Sequence, residues 1–123
     1  MKLSDNFSVS EFESKDGAEM PKDVLKNIRE LAKNLQALRD YLKAPITVTS
    51  GYRSPEHNKR IGGAKNSFHV KGMAADVKVK GHSPAEVIEA IKELIEKGDM
   101  SEGGIGKYSS WTHYDIRGTL ARW

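Results

Sequence analysis

With 123 residues, the chain has the length of one ordinary domain and can bury a core without covalent staples. Its 20 Lys and Arg stand against 17 Asp and Glu, a formal charge of +3. The two signs are interleaved, unlike the basic stripe of a duplex binder, so no nucleic-acid partner is expected. There is no cysteine; disulfides, thiolate metal sites and thiol nucleophiles are excluded, and any metal must be held by His, Asp or Glu.

No apolar run approaches the roughly 18 residues of a membrane span. The opening Met1-Lys2-Leu3-Ser4-Asp5-Asn6 lacks the apolar core of a secretion signal. No repeat or linker interrupts the chain, so residues 1–123 are expected to form a single domain. The first twenty residues are mostly polar, with a short apolar pair, Val9 and Phe12, around Glu11 that suits a single helical turn before a loop at Asp16-Gly17. Pro21 fits the first turn of a helix. Val24, Leu25, Ile28, Leu31, Ala32, Leu35, Leu38 and Leu42 then recur at three- and four-residue steps. They predict an amphipathic helix over 22–43, its apolar stripe facing the core.

Ile46-Thr47-Val48-Thr49 alternates and is β-branched throughout, a strand. Ser54-Pro55 caps a short helix reaching about Ile61, which Gly62-Gly63 ends. Ala74 to Val79 predicts a second strand. Ser83-Pro84-Ala85-Glu86 is a capping box, followed by Val87, Ile88, Ile91, Leu94 and Ile95 on a second amphipathic helix ending near Gly98. Gly104 to Tyr108 and Trp111 to Arg117 are the last strands, joined at Ser109-Ser110. The expected class is α+β: a small, mainly antiparallel sheet packed by one face on two main helices. Alternation sends Ala75, Val77, Val79, Tyr114 and Ile116 to that face. It sends Asp76, His113, Asp115 and Arg117 to the other, where a polar site would lie.

Of the four histidines, His69 and His113 stand out by context. Two imidazoles and a carboxylate such as Asp76 can hold zinc with a fourth position open, although spacing alone leaves this level with scattered surface residues. His57 reads as structural and His82 as solvated. Tyr52, Tyr108 and Trp111 suit either a groove or aromatic packing. The lysines and arginines from Lys59 to Lys80 suit a solvated face or attraction to an anionic cell wall.

Ser50-Gly51-Tyr52-Arg53-Ser54-Pro55 with Asn58, then Ser67, His69, Gly72, Ala74 and Asp76 within ten positions, then His113 in Trp111-Thr112-His113-Tyr114-Asp115, resemble the zinc D-alanyl-D-alanine carboxypeptidase family. These are bacterial cell-wall peptidases that include phage endolysins and share their fold with the hedgehog signalling domain. The resemblance covers nearly the whole chain. It implies a hedgehog/DD-peptidase-like fold and one zinc per chain, held by His69, Asp76 and His113. It implies that Ser67 supports that site or faces substrate. Arg53 would meet a substrate carboxylate or the scissile carbonyl, though pairing with Glu56 is its ordinary alternative. Gly72 would permit the turn between His69 and the strand of Asp76.

The implied substrates are peptidoglycan stem peptides, cut by carboxypeptidase or endopeptidase action, and the implied place of work is the cell wall. Nothing in the sequence argues against a monomer. One departure stands out. Many members of the family place a catalytic carboxylate three residues before the last zinc histidine, where this chain has Ser110. Asp115 is the nearest substitute: as base for the proton of water, as a group orienting a zinc ligand, or as a salt-bridge partner of Arg117 or Arg53. Ser110 also motivates an alternative, a zinc-containing domain that binds wall peptides with little or no turnover.

Overall fold

The computed structural model describes residues 1–123 throughout. The amino-terminal segment differs from the expected polar leader. β1 (Lys2–Ser4) and β2 (Phe7–Ser8) form an antiparallel hairpin. Its cause is non-local: Gln36 accepts from the Ser4 hydroxyl (2.7 Å) and the Asn6 N–H (2.9 Å), and donates back to Asn6 Oδ1 (2.8 Å). A 3-10 turn follows at Val9–Phe12, as expected, with Ser8 and Glu11 as its capping box. Phe7 and Phe12 are buried.

The main helix α1 spans Lys22–Leu42. Pro21 stands at its N-cap, one position before the first turn, and Lys43 closes it in a left-handed conformation. Val24, Ile28, Leu31, Ala32, Leu35 and Leu38 form the buried stripe the period predicts. Burying one such leucine stabilises the fold by about 1.5–3 kcal/mol relative to exposure. β3 (Ile46–Ser50), α2 (Pro55–Arg60), β4 (Ala74–Val79) and α3 (Pro84–Glu96) follow where their patterns place them. Ser54 and Ser83 cap the two helices as expected.

β5 (Gly104–Lys107), β6 (Thr112–Asp115) and β7 (Ala121–Arg122) complete a five-stranded sheet of order β3-β4-β6-β5-β7. All its pairings are antiparallel except β7, which runs parallel to β5 and has no counterpart among the expected strands. β6 ends two residues earlier than predicted, because the Ile116 N–H turns to the Met73 carbonyl (3.0 Å) and the Arg117 N–H to Asp115 Oδ1 (3.2 Å).

The α+β class stands. Ile46, Val48, Ala75, Val77, Val79, Ile105 and Tyr114 join α1 and α3 in a single core. Tyr52 belongs to this core and not to a groove. The Tyr114 phenol donates to the Ser101 carbonyl (2.6 Å), and Asn34, on the buried stripe of α1, accepts from the Ser101 N–H (2.6 Å). The core's few polar groups are thus paired, as burial requires. No helix is long and apolar enough to cross a membrane.

Candidate metal centre

Sheet register brings the site together. Asp76 on β4 and His113 on β6 are direct cross-strand partners on the face turned away from the core helices. His69 arrives from the turn before β4. There Gly72 adopts a positive φ of 73°, and a Cβ on it would lie 2.7 Å from Val24 Cγ1, so both conformation and space require glycine. His69 is held from the other side by the loop after β3: the Arg53 N–H donates to its carbonyl (3.1 Å). Asp76 Oδ1 lies 3.3 Å from His69 Nε2 and 3.1 Å from His113 Nδ1. The candidate ligand atoms of the three residues lie within 4.8 Å of one another.

The second nitrogen of each imidazole is also engaged. His69 Nδ1 lies 2.8 Å from the Gly51 carbonyl, which can only accept, so Nδ1 carries the proton and the Nε2 lone pair faces Asp76. His113 Nε2 lies 2.7 Å from Asp115 Oδ2, so the neutral ring carries its proton there and turns the Nδ1 lone pair toward Asp76. Supporting acceptors of this kind fix imidazole tautomer and ring orientation at metal sites. Two lone-pair nitrogens and a carboxylate oxygen converging on one point fit a zinc ion.

Asp115 is fully buried behind His113. Besides His113 it accepts from Arg117 Nε (2.8 Å), Arg117 Nη2 (2.7 Å) and the Gly104 N–H (2.8 Å). Its pairing with Arg117, and not Arg53, resolves one of the alternatives the sequence left open. Burial works against the charge of Asp115, but the Arg117 and His113 hydrogen bonds outweigh it and hold the carboxyl well below the usual range. Burial opposes the charge of Asp76 too, but its contacts with His113 and His69 outweigh it and lower the carboxyl pKa. For His113, burial disfavours the imidazolium, yet the bonds to Asp115 and Asp76 prevail and raise its pKa.

A cleft of ≈ 490 Å³ opens beside the three residues. Ser67 and Arg53 line it, and Asp76 is the only carboxylate that does. The Ser67 hydroxyl accepts from the His69 N–H (3.1 Å). Arg53 spans Ser50 Oγ (3.1 Å), Asn58 Oδ1 (3.3 Å) and Asp76 Oδ2 (3.4 Å); Glu56 is not its partner. Asn58, part of the motif but given no role from the sequence, also donates to the Ala64 carbonyl (2.9 Å) and so ties Arg53 to the loop bordering the cleft. Tyr108 and Trp111 stack with centroids 4.6 Å apart and line the opposite side with Trp123. Trp123 was also missed; the glycine inside β5 was the one available hint of a close approach there. Ser110 sits at the exposed β5–β6 turn and does not line the cleft.

Fold and site together define a small α+β domain whose sheet and adjoining turn bring His69, Asp76 and His113, three groups able to hold a metal ion, together beside an open cleft. The chain belongs to the peptidase M15 family, whose model matches residues 4–115. It is 33% identical over 97 residues to the probable peptidoglycan L,D-endopeptidase MepK of Haemophilus influenzae, covering 73% of this chain and 48% of that protein. It is 32% identical over 88 residues to the peptidoglycan L,D-endopeptidase MepK of Escherichia coli, covering 66% and 44%. A 44-residue stretch is 50% identical to the zinc D-Ala-D-Ala carboxypeptidase of Streptomyces albus G, covering 35% and 17%. The chain therefore spans less than half the length of these curated relatives. Among solved structures, the L-Ala D-Glu endopeptidase ChiX of Serratia marcescens shares the fold, with a TM-score of 0.53 at 19% identity over 77% of this chain and 86% of that one.

Proposed function

We propose that this chain is a zinc metallopeptidase domain that hydrolyses an amide bond in peptidoglycan stem peptides, and hence works at the cell wall. The observation that carries the reading is the convergence of His69 Nε2, His113 Nδ1 and Asp76 Oδ1, with both remaining ring nitrogens already engaged. Family membership supports the chemistry, and the names of the relatives supply the substrate class. One ion per chain is expected, since His69, Asp76 and His113 form the sole such cluster.

Zinc held there supplies a Lewis acid that polarises an amide carbonyl and acidifies water. The side chains of the site have separable tasks. Arg53 uses three of its five N–H groups on Ser50, Asn58 and Asp76. The other two remain for a scissile carbonyl or a substrate carboxylate, oxygens that suit a guanidinium fork. Ser67 holds the His69 backbone and borders the cleft, within reach of a bound peptide. Asp115 acts through His113: with its oxygens shared among His113, Arg117 and the Gly104 N–H, it orients a ligand instead of taking a proton from water.

A binding domain without turnover is the second reading. It is favoured by one observation: no carboxylate except Asp76 borders the cleft to act as base. Incubating zinc-loaded protein with purified peptidoglycan, with and without a chelator, and reading the fragments by mass spectrometry decides between them. Chelator-sensitive release establishes a hydrolase, and the fragment masses name the bond. No release from protein carrying one zinc per chain rejects the peptidase and leaves the binding domain.

A further inference from the structure

The row of residues across the sheet at the metal centre contains a gap that another residue fills. Asp76 on β4 faces His113 on β6, and His113 in turn faces Gly106 on β5. The next strand continues the row. The Trp123 N–H donates to the Ile105 carbonyl (3.1 Å) and the Lys107 N–H donates to the Trp123 carbonyl (2.8 Å), which sets Trp123 beside Gly106. Because Gly106 has no side chain, the indole folds across it. A Cβ at Gly106 would overlap the indole at Nε1 and lie 2.6 Å from Cε2. The indole thereby reaches His113, with ring centroids 4.9 Å apart at 48°.

Three further contacts hold it there. Trp123 Nε1–H donates to the Tyr108 hydroxyl (2.9 Å). The Arg117 guanidinium, bonded to Asp115, lies 5.2 Å from the Trp123 ring and 4.4 Å from Phe68. Arg122 anchors β7 through the Gly103 carbonyl (2.7 Å) and Glu102 (3.0 Å). Trp123 itself stays 49% exposed, so it acts as an outer wall and not as core. His113 is thus bounded by Asp76 at Nδ1, Asp115 at Nε2, the edge-on ring of His69 at 5.2 Å and the indole.

We propose that Trp123 is a positioning residue of the metal centre. Carried by β7 across the gap at Gly106, it holds the His113 imidazole in its metal-binding orientation and screens the His113–Asp115 hydrogen bond from water. The inference deepens the zinc reading above and rests on it for its metal arm. A hydrogen bond screened from water is electrostatically stronger, and supporting partners at metal sites typically change affinity about 10–100-fold. An indole acting by packing belongs at the low end of that range.

The test uses four variants: Trp123→Ala, Trp123→Phe, Gly106→Ala, and Trp123→Ala combined with Gly106→Ala. Gly106→Ala keeps every group at the metal centre, its backbone is ordinary strand, and its Cβ meets the indole first; the double variant separates that effect from any direct contact with His113, its cross-strand partner. In metal-free protein, the His113 ring-proton resonances report the ring current of the indole, and Tyr114 resonances report an intact core. Zinc affinity is read by competition with a chromophoric chelator.

Trp123→Ala and Gly106→Ala should both abolish the ring-current shift and weaken zinc about tenfold. Trp123→Phe should restore most of the affinity. The double variant should bind zinc no more weakly than Trp123→Ala, since the two substitutions remove one contact. Unchanged His113 resonances and affinity in the single variants overturn the proposal. So does a Gly106→Ala effect that persists undiminished without the indole. Wild-type protein that shows the contact but takes up no zinc overturns both this inference and the zinc reading. Protein that shows all the expected shifts yet releases nothing from peptidoglycan rejects the peptidase and leaves Trp123 in its role.

Discussion

The His113 ring is bounded by Asp76, Asp115, His69 and Trp123, and these neighbours make separable predictions. Replacing it with alanine removes one of three ligands, and His113→Ala should lose zinc and activity together, read by metal analysis after dialysis and by fragment release. Asp115→Asn keeps the shape but weakens the acceptor at Nε2. Zinc affinity should fall about 10–100-fold, while kcat at saturating zinc stays near the wild-type value. A variant that keeps its zinc and loses kcat would instead return Asp115 to the role of base. Asp76 and His113 were legible as ligand candidates because alternation and motif coincide on two apolar strands, and His69, on a turn, by motif alone. The Gly51 carbonyl that sets the His69 tautomer was not, since any residue supplies a carbonyl. Asn58 stood out as part of the motif, but its task did not, because that depends on Arg53 and Ala64 meeting in space.

At the scale of elements, the junction between the amino-terminal loop and α2 is a carboxylate clip. Asp16 accepts from the Ser14 and Ser54 hydroxyls (2.6 Å each), the Ala18 N–H (3.1 Å) and Arg60 (3.3 Å). The Ser54 N–H donates to Ser14 Oγ (3.0 Å), one residue from Arg53. The Ser14 and Ser54 hydrogen bonds lower the Asp16 pKa well below the usual range. The unfolded chain therefore binds this proton more readily. Asp16 contributes its full stabilisation above an unfolded carboxyl value of about 3.9, and loses it as pH falls toward the depressed folded value. Urea midpoints measured across the acid range should fall with pH, and Asp16→Ala should lower the neutral midpoint and flatten that fall. Gly72→Ala meets both a positive φ and Val24 and should destabilise by about 1–3 kcal/mol in the same assay.

Elements with strong periods were readable: the stripe of α1, the cap of α3 and the alternation of β4 all appear where expected. β7 was not, because Ala121–Arg122 is two residues long and has no pattern of its own. What specifies it is the groove at Gly106 and the reach of Trp123. The β1–β2 hairpin was missed for the same reason, since Gln36 on a distant helix holds it.

For the whole molecule, one sheet separates two jobs. Its inner face joins α1 and α3 in the core, and its outer face carries the metal centre, so the site draws on the same strands that stabilise the fold. Zinc bound at that site would then be linked to folding. At a free zinc concentration of about one hundred times Kd, the native state gains about 2.7 kcal/mol. Thermal melts should therefore shift upward with zinc, return with chelator, and show no zinc dependence in His113→Ala. The α+β class was legible because helix and strand periods alternate plainly along the chain. Strand order was not, because pairings such as Asp76 with His113 join segments far apart in sequence and leave no local trace.

That pairing has a consequence for how the chain assembles. Asp76 faces His113, flanked by Ala75 opposite Tyr114 and Val77 opposite Thr112. Sliding β6 by a single residue would send His113 toward the helices and carry Tyr114 out of the core. Such a misassembled sheet would lose its phenol anchor and its zinc at one stroke. A metal held by His69, Asp76 and His113 would thus act as a proofreader, rewarding only chains whose central strands have aligned correctly, and refolding in the presence of zinc should enrich that population.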